Sequence, residues 1–224
     1  MPSPVVTIER IGAEREPVIV IDGFSGRVAE LTALGRAAHY EPQSMYPGLR
    51  SPADPAYLAP MQALLHQMLS RVFGVAEVKI EGCDYSVVSL APGALSSAQS
   101  IPHYDDAGPG VLALLHYTQG PETGGTAFYR HRRTGFESLR PERLAAYAKA
   151  LADDEREYGP VAAGYIGAST ERFERIAVFE ARPDRAILYR GRTLHSGMIP
   201  QAPDPASAVA DGRLTINTFF AAEG

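Results

Sequence analysis

Two histidines and one aspartate of this chain have the residue types of a metal-binding site. His103 and Asp105 lie two residues apart, and His195 follows 92 residues after His103. If the segment is extended, side chains repeat with a period of two, so His103 and Asp105 lie on one face. Two histidines and one carboxylate form the facial triad that binds non-haem Fe(II) and leaves coordination positions open. The three residues are therefore predicted to be metal ligands and catalytic residues.

Two alternatives bear on this triad. Asp106 competes with Asp105 for the carboxylate position, but strand alternation would turn Asp106 to the opposite face. We interpret Asp106 as the start of an Asp-Ala-Gly-Pro-Gly turn. The other alternative is that His103 and Asp105 form a surface turn and that His195 is a structural core histidine.

Arg213 is the candidate anchor for a negatively charged cosubstrate. Alternation along the predicted strand 213–220 places Arg213, Thr215 and Asn217 on one face, with apolar residues on the other. A buried cation without a partner is costly, and the carboxylate of a bound dicarboxylate would compensate it. The alternative is an internal salt bridge to one of the chain's own acidic residues.

The composition limits the class of protein. The net charge of −5 argues against a nucleic-acid binder that relies on overall positive charge. The only cysteine is Cys83, so no intrachain disulfide can form, as is usual in a reducing compartment. Residues 1–15 lack the apolar core of a signal peptide, and the apolar runs are too short to span a bilayer. The sequence predicts a cytoplasmic protein with no membrane or nucleic-acid partner, and it does not predict an oligomeric state.

The elements that must position these residues follow from periodicity and turn signals. Apolar residues at helical spacing predict helices over 26–38, 56–73 and 141–158, and the Pro/Gly/Ser-rich segment 40–55 is predicted to be a loop. The predicted strands are 17–22, 78–90, 111–118, 125–129, 173–179, 186–189, 194–199 and 213–220. Many short strands separated by turns favour a mainly β fold, a double-sheet roll with N-terminal helices that cover one outer face.

We expect a single domain over residues 1–224. Residues 1–77 would provide an N-terminal strand and helices, and residues 78–222 the β core, with an insert at about 133–167. The insert is either a lid or recognition element at the mouth of the site, or a solvated addition. The basic cluster Arg130–Arg133, which includes His131, either binds an anionic substrate group or is solvated.

The order of short motifs resembles the Fe(II)/2-oxoglutarate-dependent dioxygenase superfamily, and within it the prolyl-hydroxylase-like branch and an uncharacterised bacterial group. The matching pieces are Leu90-Ala-Pro-Gly93 before His103-Tyr-Asp105, Leu115-His-Tyr117-Thr before Gly124-Gly125-Thr126, Pro183-Asp-Arg-Ala-Ile-Leu-Tyr189 before His195, and Gly212-Arg213-Leu-Thr215. The resemblance covers about residues 78–222. Two departures are the insert and the gap of 18 residues between His195 and Arg213, whose excess is placed in a loop at 201–211.

The resemblance implies a double-stranded β-helix (jelly-roll) fold, Fe(II) at His103, Asp105 and His195, and 2-oxoglutarate held by Arg213. It also implies Tyr117 near the cosubstrate carboxylate and the Thr215 hydroxyl beside Arg213. The implied reaction consumes O2 and 2-oxoglutarate, releases succinate and CO2, and hydroxylates a small-molecule, amino-acid or peptidyl substrate. Asp105 disfavours halogenation, because halogenating relatives lack the carboxylate ligand.

Two other functions stay open at this stage. A cupin-like metalloenzyme would use the same ligands without 2-oxoglutarate, and Arg213 would then matter little. A non-catalytic β-roll would bind a carbohydrate or peptide, and an empty or occluded cluster of His103, Asp105 and His195 would favour it.

Overall fold

The computed structural model describes residues 3–43 and 45–223. Within these residues the chain forms eleven β-strands and four α-helices. The strands are β1 (Val5–Ile11), β2 (Glu16–Asp22), β3 (Glu41–Pro42), β4 (Gly48–Pro52), β5 (Val78–Val88), β6 (Val111–Tyr117), β7 (Gly125–His131), β8 (Phe173–Glu180), β9 (Arg185–Arg190), β10 (His195–Met198) and β11 (Leu214–Ala222). The helices are α1 (Val28–Ala37), α2 (Gln62–Met68), α3 (Leu144–Tyr158) and α4 (Ala208–Asp211).

Eight strands form a large antiparallel sheet in the order β1-β2-β9-β6-β11-β5-β4-β3. Its central strand β6 is apolar at nearly every position because both of its faces are buried. Leu112 and Leu114 face the helices, whereas Ala113 and Leu115 face the second sheet. The fully apolar sequence of β6 therefore reflects its central position.

The second sheet has three antiparallel strands in the order β10-β7-β8. One apolar cluster lies between the two sheets and combines Phe128 of β7 and Phe179 of β8 with residues of β2, β6 and β9. The two facing sheets form a jelly roll, so the predicted mainly β, double-stranded β-helix fold is confirmed. The space between the sheets is where inward-facing side chains of both sheets can meet.

The N-terminal helices cover the outer face of the large sheet. Leu31 of α1 and Leu65 of α2 pack with Leu112, Leu214 and Ile216 of the sheet. The helix predicted at 56–73 is less regular than its periodicity indicates, since a 3₁₀ segment Pro55–Met61 precedes α2 and a π-helical turn Leu69–Phe73 follows it. Pro60 lies within the 3₁₀ segment and has no backbone N–H to donate.

The predicted insert packs against the outer face of the small sheet through α3. Tyr147 of α3 joins Ala127, Tyr129 and Phe173 in a third apolar cluster. The cluster Arg130–Arg133 forms ion pairs within the protein. Arg130 binds Glu137 and Glu174, Arg133 binds Asp154 and Glu157, and the ring Nε2 of His131 lies 2.8 Å from Asp154 Oδ2. The contacts of Arg133 and His131 hold α3 against the end of β7.

The described residues among the first 77 contribute four strands to the large sheet, more than the one strand expected. The expectation included only the strand at 17–22, but β1, β3 and β4 also belong to this sheet. The segment 40–55 was predicted to be a loop because of its proline, glycine and serine content, yet its residues 48–52 pair with β5 in regular register. β4 becomes important for the site because it carries an inward-facing arginine.

In the part of the chain that the structure describes, we find no helix with the length and apolar character needed to cross a membrane.

Candidate metal and cosubstrate site

The three predicted metal ligands converge at one end of the small sheet. Among the described residues, ligand atoms of His103, Asp105 and His195 all lie within 4.8 Å of one another. His103 and His195 exchange two backbone hydrogen bonds, of 2.9 and 2.8 Å, and the Asp105 N–H donates to the Gly191 carbonyl at 2.7 Å. The segment 103–105 is not a regular strand: His103 forms an isolated bridge and Asp105 lies in a bend. The side chains nevertheless meet because both ends of the segment are hydrogen-bonded to the region around β10.

The neighbouring Asp106 takes the structural role expected of it. Its Oδ1 accepts the backbone N–H of Gly108 at 2.6 Å and so stabilises the turn that follows. Asp105 Oδ1 lies 4.0 Å from His103 Nε2, and Asp105 Oδ2 lies 3.7 Å from His195 Nε2. Asp105, and not Asp106, is therefore the carboxylate that faces both imidazoles.

The ring of His195 is fixed in the tautomer that a metal ligand needs. Its Nδ1 lies 2.8 Å from the backbone carbonyl of Thr193. Because a carbonyl oxygen only accepts, Nδ1 must carry the proton, and Nε2 keeps a free lone pair on the side of Asp105. Tyr189 and Phe128 pack around the ring, with centroids 4.9 and 6.1 Å from that of His195.

The electrostatics of the cluster favour neutral histidines. Desolvation, together with the other imidazole in the case of His103, lowers the pKa of both His103 and His195 to about 4. Desolvation raises the pKa of Asp105 to about 6, although His103 and Arg50 act in the opposite direction. Metal binding requires unprotonated imidazoles and an ionised carboxylate, and this combination exists above about pH 6. The chemistry of the donor set thus fits Fe(II).

Arg213 lies next to this cluster, between the sheets. Its Nη2 donates to the Gly125 carbonyl of β7 at 3.1 Å, and its guanidinium carbon lies 5.8 Å from the ring centre of Tyr117. A Cβ placed on Gly197 would lie 3.6 Å from Nη1. Gly197 follows His195 by two residues on β10, and two residues of a strand span roughly 7 Å. The guanidinium therefore lies about that far along β10 from His195.

Arg213 is also incompletely satisfied. Its Nε is buried and has no hydrogen-bond partner. Within residues 3–43 and 45–223, no carboxylate lies within 4.0 Å of the guanidinium, so the internal salt bridge considered as an alternative is not formed there. A negatively charged ligand would satisfy this cation.

The two lesser cosubstrate residues lie on the same inner face. The buried Tyr117 hydroxyl donates to Thr126 Oγ1 at 2.7 Å, close to Arg213. The Thr215 hydroxyl donates to Asn217 Oδ1 at 2.9 Å. Their roles toward a cosubstrate stay predictions, and Thr215 would have to exchange its present partner to bind one.

Sequence reasoning missed two further residues of the site, Tyr46 and Arg50. The Tyr46 hydroxyl, Arg50 Nε and the Ser86 hydroxyl are buried without a hydrogen-bond partner, like Arg213 Nε. Arg50, Ser86 and Thr215 are direct neighbours in the register of β4, β5 and β11, so they share the inner face. Strand alternation would have placed Arg50 on the inner face only if residues 48–52 had first been recognised as a strand. Several orphan polar atoms in one space indicate that a polar ligand belongs there.

A second histidine cluster has the residue types of a hydrolase triad but not its order. His116 Nε2 lies 2.9 Å from Asp184 Oδ1, and the Ser25 hydroxyl donates to the same carboxylate oxygen at 2.6 Å. The carboxylate therefore lies between serine and histidine, whereas an activated serine requires the histidine in the middle. This cluster joins the N-terminal segment to the sheet, on the helix-covered side.

Comparison with solved structures defines the class of fold. SnoK, the non-heme alpha-ketoglutarate-dependent carbocyclase from nogalamycin biosynthesis, is 11% identical and has a TM-score of 0.51, covering 93% of this chain and 81% of SnoK. The epimerase SnoN in complex with Fe3+, alpha-ketoglutarate and nogalamycin RO is 14% identical with a TM-score of 0.50, covering 93% of this chain and 80% of SnoN. HygX from Streptomyces hygroscopicus, solved with nickel, 2-oxoglutarate and hygromycin B, is 17% identical with a TM-score of 0.49, covering 92% and 82%.

SnoK and SnoN show the shared architecture. The chain shares the double-stranded β-helix fold of SnoK and SnoN, which confirms the fold that the sequence resemblance implied. Within that class, the chain belongs to the family described as "Family of unknown function (DUF6445)", which matches residues 2–220. No curated protein matches the sequence significantly.

Proposed function

We propose that this protein is an Fe(II)- and 2-oxoglutarate-dependent oxygenase that hydroxylates a small-molecule, amino-acid or peptidyl substrate. The observation that carries the proposal is the convergence of a two-histidine, one-carboxylate cluster with a partly unsatisfied arginine on one inner face. His103, Asp105 and His195 would hold the metal, and Arg213 the far carboxylate of 2-oxoglutarate. We also propose that residues 1–224 form a single domain.

When bound, the metal and 2-oxoglutarate supply the oxidative chemistry, in which O2 and 2-oxoglutarate are consumed, succinate and CO2 are released, and one oxygen atom enters a C–H bond. The chain's residues position these groups. The Thr193 carbonyl orients His195, and the Gly191 carbonyl holds the backbone of Asp105. Arg213 would fix the orientation of the cosubstrate through a charge-assisted, bidentate hydrogen bond. Tyr189 and Phe128 exclude water from one side of His195.

The testing experiment is an anaerobic titration of the metal-free protein with Fe(II) and then with 2-oxoglutarate, recorded by the visible charge-transfer band between Fe(II) and a 2-oxo acid. We expect a band in the wild-type protein. In Arg213→Ala we expect Fe(II) affinity to be unchanged and the Kd of 2-oxoglutarate to rise about tenfold or more, because a charge-assisted hydrogen bond is lost. Arg71→Ala removes an exposed arginine outside the site and is the matched control.

The outcomes separate the alternative functions. Bound metal without a band would favour a cupin-like metalloenzyme that does not use 2-oxoglutarate. A band that Arg213→Ala leaves unchanged would refute the assignment of Arg213 to the cosubstrate. Failure to bind metal at all would leave the non-catalytic β-roll.

A further inference from the structure

Arg50 is a second cation in the site without a protein partner. It lies on β4, partly buried, and its Nε is buried with no hydrogen-bond partner. In the described part of the chain no carboxylate lies within 4.0 Å of its guanidinium; this includes Asp84, which lies on the same inner face one side-chain step from Ser86. Leaving a buried N–H donor without an acceptor is costly, so an acceptor group on a ligand beside Arg50 Nε would stabilise the site.

The Arg50 side chain extends along the sheet toward the metal ligands. Its backbone is level with Thr215, yet its guanidinium carbon lies 5.9 Å from the ring centre of Phe219, two side-chain steps further along β11. Phe219 is level with Ala113, and Ala113 with Tyr189, whose ring packs 4.9 Å from that of His195. The guanidinium therefore lies at the metal end of the space between the sheets.

Arg50 and Arg213 reach in opposite directions from the level of Thr215 in the large sheet. Arg213 precedes Thr215 by one side-chain step and reaches Gly125 and Gly197 on the small sheet. Arg50 starts two strands away, roughly 10 Å across the sheet, and reaches in the other direction, toward Phe219. A cosubstrate anchored by Arg213 thus leaves Arg50 available for a different molecule.

Two aromatic rings hold the Arg50 guanidinium. It lies 4.7 Å from the ring centre of Tyr46 in addition to its contact with Phe219. Contact with aromatic rings restrains a guanidinium without using its N–H donors, which stay available for bidentate binding of a carboxylate or phosphate. The Tyr46 hydroxyl, also without a partner, is a further donor beside it.

We propose that Arg50, stacked on Tyr46, binds an anionic group of the primary substrate, a carboxylate or a phosphate, and so determines that the substrate is acidic. The proposal rests on the function proposed above, because it assigns the substrate end of the same site. It makes Arg50 a specificity-determining residue at the substrate end of the site.

The test uses simple probes on the protein loaded with Ni(II) and saturated with 2-oxoglutarate, so that the metal and Arg213 are occupied. Benzoate, phenyl phosphate and the neutral benzamide are titrated by calorimetry into wild-type protein, Arg50→Gln, Arg50→Lys and the control Arg71→Gln. We expect at least one anion to bind the wild type about tenfold more tightly than Arg50→Gln, with partial recovery in Arg50→Lys. Benzamide should bind equally weakly to all four proteins. The anion with the higher affinity shows whether the site prefers a carboxylate or a phosphate.

Three results would overturn the proposal: neither anion binds the wild type, Arg50→Gln leaves anion affinity unchanged, or Arg50→Gln weakens 2-oxoglutarate itself. The last result would assign Arg50 to the cosubstrate. The Fe(II) charge-transfer band of the wild type is measured separately, and its absence refutes the proposed function whether or not an anion binds at Arg50.

Discussion

At the scale of single residues, the position of Asp105 depends on the absence of a side chain at residue 191. A Cβ on Gly191 would lie 3.2 Å from Asp105 Cβ, 3.4 Å from Asp105 Oδ2 and 3.1 Å from Val111 Cγ1. Contacts this short force a neighbour to move by a few tenths of an ångström. Since Val111 belongs to a strand of the large sheet and Asp105 to a bend, Asp105 is the neighbour that can move.

We therefore expect Gly191→Ala to weaken metal binding without unfolding the protein. The Kd of Mn(II) or Fe(II) should rise about tenfold, the size of effect typical of residues that orient metal ligands. The free energy of unfolding of the metal-free protein should fall by no more than about 1–3 kcal/mol, as for moderate overpacking. Gly93→Ala is the control because a Cβ there meets nothing within 4 Å. Equal metal affinity in the two variants would contradict the role of Gly191.

The sequence could reveal site residues only where residue type and spacing together indicate chemistry. His103 and Asp105 are close in the chain, and Arg213 follows a strand-like pattern, so their meeting could be anticipated. Arg50 could not, because a lone arginine in a Pro/Gly/Ser-rich segment is indistinguishable from a solvated one until its strand register is known. The Thr193 carbonyl that orients His195 has no signal in residue types, since every residue has a carbonyl.

At the scale of elements, the loop between β10 and β11 is held by a helix from the other end of the chain. Nη1 and Nη2 of Arg36 on α1 donate to the carbonyls of Val209 and Gly212, both at 2.6 Å. These carbonyls are at the C-terminal end of α4, where no further backbone N–H of the helix can reach them. The extra length before Arg213, predicted to be a plain loop, thus includes a short helix anchored on α1.

We expect Arg36→Met to loosen this segment and to weaken 2-oxoglutarate binding while sparing the metal. Arg213 directly follows Gly212, so mobility of the segment would spread the orientations of its guanidinium. The Kd of 2-oxoglutarate should rise several-fold to about tenfold, given about 1.5–3 kcal/mol for hydrogen bonds made by a charged donor. Fe(II) affinity should not change. Limited proteolysis should show faster cleavage within 199–212.

Arg27→Met, next to the same helix, is the matched control, because the Arg27 side chain is 40% exposed and, among the described residues, forms its ion pair with Glu30. If both variants weaken 2-oxoglutarate equally, the effect belongs to α1 in general and not to the contact of Arg36 with α4.

Helices and strands with strong hydrophobic periodicity could be predicted. Strands that form only through pairing with distant parts of the chain could not. The pattern of 111–118 and of 213–220 predicted β6 and β11 nearly to their ends. β1, an edge strand, was missed because it buries little, and β4 because its sequence carries glycine, proline and a charged residue. Helix α3 was predicted from its apolar face. The packing of that face against the small sheet was not predicted.

At the scale of the whole molecule, the N-terminal region is bound to the β core through a buried carboxylate. Asp184 accepts hydrogen bonds from the Ser25 N–H at 2.9 Å, the Ser25 hydroxyl and the Gly26 N–H at 2.7 Å, and it contacts His116 of β6. Burial alone would raise the pKa of Asp184, but the hydrogen bonds from His116, Ser25 and Gly26 outweigh it and lower the pKa to about 2.

We expect Asp184→Asn to lower the free energy of unfolding by about 2 kcal/mol at pH 7, the value that corresponds to this pKa change. The folded-state pKa lies below the unfolded value, so the stabilisation is complete above about pH 4 and is lost as the pH falls toward 2. The gap between variant and wild type in urea denaturation should therefore close over that range. Residue 184 has a positive φ of 60°, which asparagine tolerates, so backbone strain is not added.

Asp22→Asn is the comparison variant, because Asp22 is 41% exposed in its pair with Arg185 and should contribute less than about 1 kcal/mol. A difference between Asp184→Asn and wild type that does not change between pH 7 and pH 3 would contradict the assignment to this carboxylate.

The two backbone hydrogen bonds between His103 and His195 also bear on the order of events during folding. They join positions 92 residues apart, and contacts of such long range form late because the entropy of closing the chain is lost first. His103 and Asp105 are neighbours even in an extended chain, but the third ligand arrives only once the two sheets have come together. Unlike a zinc finger, which folds around its ion, this chain is expected to fold first and to take up its metal afterwards. Metal occupancy would then count only chains that have completed folding.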